Sequence, residues 1–154
     1  MANDMAESQF KHAVALVEAA ISSLGIDPTS AKQPESPGRV SYALRRGSAR
    51  IAISVFHGTE DREGTLRVGA PVVKTPTGEG RLGLFTRLLE LNVRELVGAA
   101  FGIAGDDVLV VSERALKDLD ASEVDAAIRS VGRLADVYDD QLASAFGTVR
   151  SSGA

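Results

Sequence analysis

The sequence predicts an α+β fold, in which helices cover a small mixed or antiparallel sheet. Apolar residues that recur every three or four positions predict helices at the beginning, in the middle and at the end of the chain. Between these segments, apolar residues that alternate with polar or small ones predict strands. The predicted order is a helix, a three-stranded antiparallel meander, a helix, one or two strands, and a last helix.

The first helix is predicted from Asp4 to Leu24, because its apolar residues are spaced by three and four positions and draw one stripe along a helix. Asp4 and Glu7 have the spacing of a capping box at its start, and Gly25 suits its end. Residues 26–39 contain several prolines without apolar periodicity and predict a loop. The stripe consists of Phe10, Val14, Val17, Ile21 and Leu24.

Residues 40–57 predict a β-hairpin, because apolar and polar residues alternate on both sides of Gly47-Ser48. After a second break, the stretch LRVGAPVVK (residues 66–74) predicts a third strand. Pro71 lies within it and has no amide hydrogen to donate, so this strand should be at an edge of the sheet or bulged at Pro71.

The run from Arg81 to Val97 predicts a second helix whose apolar surface is broad enough to be buried on two sides. Residues 108–111, VLVV, predict a short strand that is buried on both faces. Asp120 and Glu123 repeat the capping-box spacing and open a long last helix, which Gly147 ends. We therefore predict a single domain over residues 1–147, followed by a flexible tail over residues 148–154.

Composition excludes several classes of protein. The 154 residues include no cysteine, which excludes disulfides, thiolate metal sites and cysteine nucleophiles. The formal net charge of −4 does not favour a nucleic-acid partner. No apolar run is long enough to span a membrane, and the first residues are acidic where a signal peptide is basic. We expect a cytoplasmic protein without a nucleic-acid or membrane partner.

Residues Gly78–Gly83 read GEGRLG and match the G-x-G-x-x-G spacing of a dinucleotide-binding loop. That loop requires a buried strand that ends at the first glycine and an acidic residue about 20 positions later. Here residues 74–77 intervene, and the chain reads GAAFGIAG where the acid should lie. We interpret the glycines as a mobile hinge at the start of a helix. A small-ligand or nucleotide-binding regulator that uses this loop remains the alternative function.

Catalytic and metal-binding patterns are weak. His12 and His57 are the two histidines and lack the spacing of metal ligands. No serine lies in a nucleophile elbow. The acidic pairs border a turn, cap a helix or lie on a solvated helix face, so we expect no catalytic residue, no metal and no cofactor. A minor enzyme would need two of three acids to converge in a pocket, namely Asp106, Asp107 and Asp139.

Several phrases resemble the YbjN family, which is related to the class I type III secretion chaperones of the CesT/Tir-chaperone type. The most specific is LLELN (residues 88–92), followed by FGI (residues 101–103) and a strand. The second is the start of the last helix at Leu119-Asp120, with Ala135-Asp136 and Asp139-Asp140 further along it. The resemblance covers about residues 40–147.

The resemblance implies an α-β-β-β-α-β-β-α fold, a homodimer and no chemistry. Secretion chaperones of this type hold an extended client segment along apolar grooves, and YbjN-type proteins are described as sensory-transduction regulators. By analogy, the second helix and its neighbouring strand would form the dimer interface, although core packing explains the same residues. The interface candidates are Leu84, Leu88, Leu91 and Leu109, and those for a client groove on the first helix and the strands are Val14, Val17, Tyr42 and Ile53.

We therefore predict a non-enzymatic, chaperone-like or adaptor homodimer that binds a polypeptide segment of a client protein.

Overall fold

The computed structural model describes residues 1–151, and its order of elements confirms the predicted α+β fold with two strands before the last helix. It adds one short helix to the predicted loop, where Asp27 accepts a hydrogen bond from the amide of Thr29. The elements are α1 Ala2–Ser23, α2 Pro28–Ala31, β1 Arg39–Arg46, β2 Ala49–Phe56, β3 Thr65–Lys74, α3 Gly80–Arg94, β4 Ala100–Ala104, β5 Asp107–Ala115 and α4 Ala121–Phe146.

The five strands form one antiparallel sheet in the order β1-β2-β3-β5-β4. β3 therefore lies at its centre. The pairing of β3 with β5 shifts between Pro71 and Val73, which confirms the bulge predicted at the proline. The pairing of β2 with β3 runs from Phe56 opposite Thr65 to Ala52 opposite Gly69, and it stops just before Pro71. A proline at this position interrupts the ladder because it has no amide hydrogen to donate.

Helices α1 and α4 pack on one face of the sheet, which we call the inner face. Large apolar residues of the central strands point to that face, including Ile53 and Val68, both fully buried. Burying such side chains stabilises the fold by about 1.5–3 kcal/mol each. In β5, Val108 and Val110 are fully buried, whereas Leu109 and Val111 are only half-buried. The prediction that this strand is buried on both faces is therefore wrong for the opposite, outer face.

The ends of two helices test the predicted caps. In α4, the Asp120 side chain accepts from the amide of Glu123 and the Glu123 side chain accepts from that of Asp120, so the capping box is confirmed. Gly147 has a φ of 61° and ends this helix as predicted. The capping box predicted for α1 is wrong, because this helix begins at Ala2 and Glu7 instead contacts His57 and Lys11.

The structure also differs from the predicted flexible tail. Residues 148–151 turn back along β3: the Lys74 amide donates to the carbonyl of Val149 over 2.9 Å, and the Ser151 amide donates to the carbonyl of Val72 over 3.0 Å. The left-handed conformation of Gly147 redirects the chain, and β3 offers a free edge beyond Pro71. Residues 152–154 of the predicted tail lie outside the described residues.

Within residues 1–151, no helix is both long enough and apolar enough to cross a membrane.

Candidate functional site

The side chains predicted to line a client groove lie in the contact between α1 and the sheet. Val17, Tyr42 and Ile53 are at most 1% exposed, and Val14 is half-buried beside them. The Tyr42 hydroxyl donates to Oε1 of Glu18 over 2.7 Å, and burial together with this carboxylate raises the tyrosine pKa. α1 thus occupies the space that the groove would need, so these residues form core rather than an open groove.

The residues predicted for a dimer interface divide into two groups. Leu84, Leu88 and Leu91 are 0–4% exposed and belong to the core, so the alternative of plain core packing holds for these three leucines. Leu109 lies half-buried on the outer face of the sheet. Sequence periodicity predicted the helix α3, but not which of its apolar stripes faces inward.

A second apolar stripe on α3 faces solvent instead. Leu82, Leu89 and Val93 are 68–86% exposed, and Val97 and Ile103 continue the surface at 88% and 49% toward the edge strand β4. We call these five residues the α3–β4 face. Leu82, Leu89 and Val93 lie on one side of α3 by their helical spacing, and exposed apolar residues that share a face are typical of an interaction surface.

The outer face of the sheet is flat and apolar along one row. The strand registers place five residues side by side, one from each strand: Ala43, Ala52, Gly69, Val111 and Ala100. Four of them are alanine or glycine, so at these positions the backbone of the sheet lies close to the surface. At one end of this face, Arg67 donates two hydrogen bonds to Oε1 of Glu113, over 2.9 and 2.7 Å.

At the other end, the β1–β2 hairpin separates from β3. Two positions beyond the Ala52–Gly69 pair, the register would bring Pro71 opposite Arg50, where the proline cannot donate. The tip of the hairpin is tied to α4 instead, since the Ser48 hydroxyl donates to Oδ1 of Asp136 over 2.5 Å. Space therefore opens between the hairpin tip and β3.

Two adjoining cavities occupy this space. One, of about 430 Å³, opens on the outer face and is mainly apolar, with Leu44, Ile51 and Ala52 among its walls. The other, of about 560 Å³, reaches α4 and is more polar, with Asp139 and Arg150 among its walls. Because both cavities are lined by Pro71, we call them together the Pro71 cleft.

Ion pairs surround the polar cavity. Nε of Arg150 lies 3.1 Å from Oδ2 of Asp139, which is only 8% exposed. Nη1 of the same arginine lies 3.6 Å from Oδ1 of Asp140. Nearby, Oδ1 of Asp107 accepts a hydrogen bond from the Ser151 hydroxyl over 2.6 Å. The same oxygen lies 2.9 Å from Nζ of Lys74. These contacts with Ser151 and Lys74 lower the pKa of the Asp107 carboxyl.

The acids considered for catalysis do not share this cavity. Asp139 lines it, whereas Asp106 and Asp107 do not. Among residues 1–151, no group of three or more His, Cys, Asp or Glu side chains is arranged to hold a metal ion.

Packing explains two of the glycines between Gly78 and Gly83. A Cβ on Gly80 would lie 2.7 Å from the carbonyl oxygen of Phe146, and one on Gly83 would lie 3.3 Å from the Phe146 ring. Gly78 has a φ of 86° in the turn before α3. These glycines allow the start of α3 to approach the end of α4, which accounts for their spacing without a bound phosphate.

Comparisons with known proteins give a family and a fold. The model of one protein family, described as "T3SS (YopN, CesT) and YbjN peptide-binding chaperone 1", matches residues 11–152. The search of curated proteins returns no match. The resemblance drawn from the phrases between residues 40 and 147 is confirmed by the family match.

Two solved structures share the fold. A chain in the crystal structure of the ExsC–ExsE complex is 16% identical with a TM-score of 0.63, and the match covers 86% of this chain and 94% of that one. A chain in the structure of the HopA1–SchA chaperone–effector complex is 12% identical with a TM-score of 0.57, covering 87% and 97% respectively. Each match covers more than four fifths of this chain.

Proposed function

The chain belongs to this family of T3SS and YbjN peptide-binding chaperones, and from that premise we propose that it holds an extended client segment in the Pro71 cleft. In this proposal the protein works as a homodimer and performs no chemistry on its client.

The observation that carries the proposal is the end of the β2–β3 pairing at Pro71. Where two strands of a sheet separate, their backbones can pair with another extended chain, which supplies affinity through main-chain hydrogen bonds. Side-chain pockets beside the strands then supply specificity. The Pro71 cleft combines both features, since its two cavities differ in polarity and lie next to the strands.

The outer face leads a client into this cleft. Ala43 and Ala52 lie at the apolar cavity and continue the row of small residues toward Gly69 and Val111. A peptide that crosses the row can approach the sheet closely, because no large side chain projects from these positions. Apolar client side chains would be buried against Ala43, Ala52 and Pro71, which the core leaves accessible.

Two similar folds were solved as protein complexes, one of ExsC with ExsE and one described as a chaperone–effector complex. The same use of the fold would give this chain a protein client. We expect that client to contribute a segment rather than a folded surface, since the Pro71 cleft is narrow and lies between strands.

Peptide selection tests the site. Peptides selected from a random display library on the intact protein should bind the Ala52→Arg variant about tenfold or more weakly, because the new side chain fills the apolar cavity. Ala115→Arg is the matched control: it places the same substitution on an exposed residue at the far end of β5. Fluorescence anisotropy of the labelled peptides measures both affinities.

Equal affinity of the selected peptides for the protein, Ala52→Arg and Ala115→Arg would show that the client lies elsewhere. A loss of affinity with both variants would contradict the Pro71 cleft as well, because the effect would not depend on the place of the arginine.

We propose the α3–β4 face as the homodimer interface. It presents Leu82, Leu89, Val93, Val97 and Ile103 to solvent. A second copy that packs the same face against it buries these residues symmetrically, as in most homodimers. The face lies on the same helix as the predicted interface leucines, on the side that the core leaves uncovered.

A further inference from the structure

Residues 148–151 occupy part of the Pro71 cleft as an extended strand. Arg150 forms an antiparallel bridge with Val73, and the two flanking hydrogen bonds join Val149 to Lys74 and Ser151 to Val72. The Thr148 hydroxyl adds a bond of 2.6 Å to the carbonyl of Lys74. The segment thus takes the edge of β3 that β2 leaves open beyond Pro71.

The segment is held mainly by polar contacts. Val149 is 65% exposed, so its only large apolar side chain contributes little burial. Segments with few buried apolar contacts open at low free-energy cost. An incoming peptide can reproduce each backbone hydrogen bond and can bury apolar side chains in addition.

The Asp139 carboxylate favours a positively charged side chain in the polar cavity of the Pro71 cleft. It is nearly buried in the wall of the Pro71 cleft, and Arg150 is its cationic partner at 3.1 Å. The Asp139 carboxylate also accepts from the Asp140 amide over 2.6 Å, but a nearly buried carboxylate is destabilised when it loses a cationic partner, so a replacing segment that supplies a cation is favoured. Arginine suits this role because its guanidinium can also reach Asp140, as that of Arg150 does.

We propose that residues 148–151 are an internal ligand of the Pro71 cleft, and that a client displaces them with an extended segment that places an arginine at Asp139. The inference rests on the proposed function, since it assumes that the client lies in this cleft. The tethered segment lowers the apparent affinity for clients, because only the fraction of molecules with an open cleft can bind them.

The test weakens the pairing of the internal ligand with β3. Ser151→Pro removes the amide that donates to Val72, whereas Ser151→Ala keeps this amide and removes only the hydroxyl. The probe is a fluorescein-labelled peptide with the chain's own sequence, Gly-Thr-Val-Arg-Ser-Ser, measured by anisotropy on the full chain. We expect it to bind Ser151→Pro about tenfold more tightly than the unaltered protein, and Ser151→Ala with a smaller gain.

The arginine preference is tested by a second peptide, Gly-Thr-Val-Gln-Ser-Ser. It should bind Ser151→Pro several-fold more weakly than the arginine peptide does. Asp139→Asn keeps the shape of the side chain and removes its charge, so it should abolish the difference between the two peptides in the Ser151→Pro background.

The proposal is overturned if the arginine peptide fails to bind Ser151→Pro, if it binds that variant and the unaltered protein equally, or if both peptides bind Ser151→Pro equally. The library-selected peptides separate this outcome from failure of the proposed function. If they lose affinity with Ala52→Arg but bind Ser151→Pro no more tightly, the Pro71 cleft remains the client site and the internal ligand is refuted. If Ala52→Arg leaves their affinity unchanged, the proposed function itself fails.

Discussion

The two faces of the sheet differ in the size and the exposure of their side chains, although neighbouring residues of one strand build both. On the inner face, Ile51, Ile53 and Val55 are at most 1% exposed beneath the helices. Ala52 lies between Ile51 and Ile53 along β2, but it points to the outer face and is exposed. Because side chains alternate along a strand, a single stretch of β2 builds the core on one side and a flat, accessible surface on the other.

The small size of the alanines and the glycine in this row of the outer face limits the apolar area that the row exposes. Large apolar side chains on that face would make a sheet surface prone to nonspecific association. Alanine and glycine leave the backbone accessible to the proposed client while exposing little apolar area when no client is present. In the proposed function, the inner side chains therefore provide stability and the outer ones provide the binding surface.

The largest expected effect tests this separation within β2. Ile53→Ala removes a fully buried side chain, so we expect the free energy of unfolding to fall by about 2–5 kcal/mol. Ala52→Ser, at the adjacent exposed position, should change it by less than about 0.5 kcal/mol. Urea unfolding followed by circular dichroism measures both. If the two substitutions proved equally costly, the outer face would have to be buried in the free protein.

The next effect extends the comparison to two neighbouring leucines of α3. Leu88 is 4% exposed and Leu89 is 68% exposed. Leu89→Glu should leave the helical signal and the stability of the monomer nearly unchanged, but it places a charge in the α3–β4 face and should prevent dimerisation. Leu88→Ala should instead lower the free energy of unfolding by about 2–5 kcal/mol.

Size-exclusion chromatography with light scattering measures the oligomeric state of these variants. We expect a dimer for the unaltered protein and a monomer for Leu89→Glu at the same micromolar concentration. A monomeric unaltered protein would refute the dimer, and a dimeric Leu89→Glu would move the interface away from this face.

Local sequence signals predicted the elements well, because the determinants of each element lie within it. Asp120, Glu123 and Gly147 define both ends of α4, and Gly47-Ser48 turns the chain between β1 and β2. The bulge followed from the chemistry of Pro71 alone. Such features require no knowledge of the tertiary arrangement.

The candidate site was harder to predict, because it depends on contacts between distant parts of the chain. Apolar periodicity on α3 gave two stripes, and only the position of α4 and β4 decides that Leu88 is core and Leu89 is surface. Likewise, Pro71 signalled an interrupted ladder, but nothing local to residues 148–151 indicated that they would pair with β3. The partner of Asp139 was missed for the same reason.

The smallest expected effect concerns a charge at the end of the β3–β5 pairing rather than on either face of the sheet. Because the contacts with Ser151 and Lys74 lower the pKa of Asp107 in the folded protein, its carboxylate stabilises the fold above the unfolded pKa of about 4. This contribution is lost as the pH falls through the lower folded pKa. Asp107 is partly exposed, so we expect Asp107→Asn to cost less than about 1 kcal/mol at pH 7.

Urea unfolding between about pH 7 and pH 3 measures the difference in unfolding free energy between the unaltered protein and Asp107→Asn. We expect this difference to be largest near neutral pH and to shrink as the carboxylate becomes protonated. Asp106→Asn makes the same change in net charge at the neighbouring exposed position and serves as the control. If the difference stayed constant down to pH 3, protonation of Asp107 would not be coupled to unfolding. The contacts with Ser151 and Lys74 would then contribute nothing that depends on its charge.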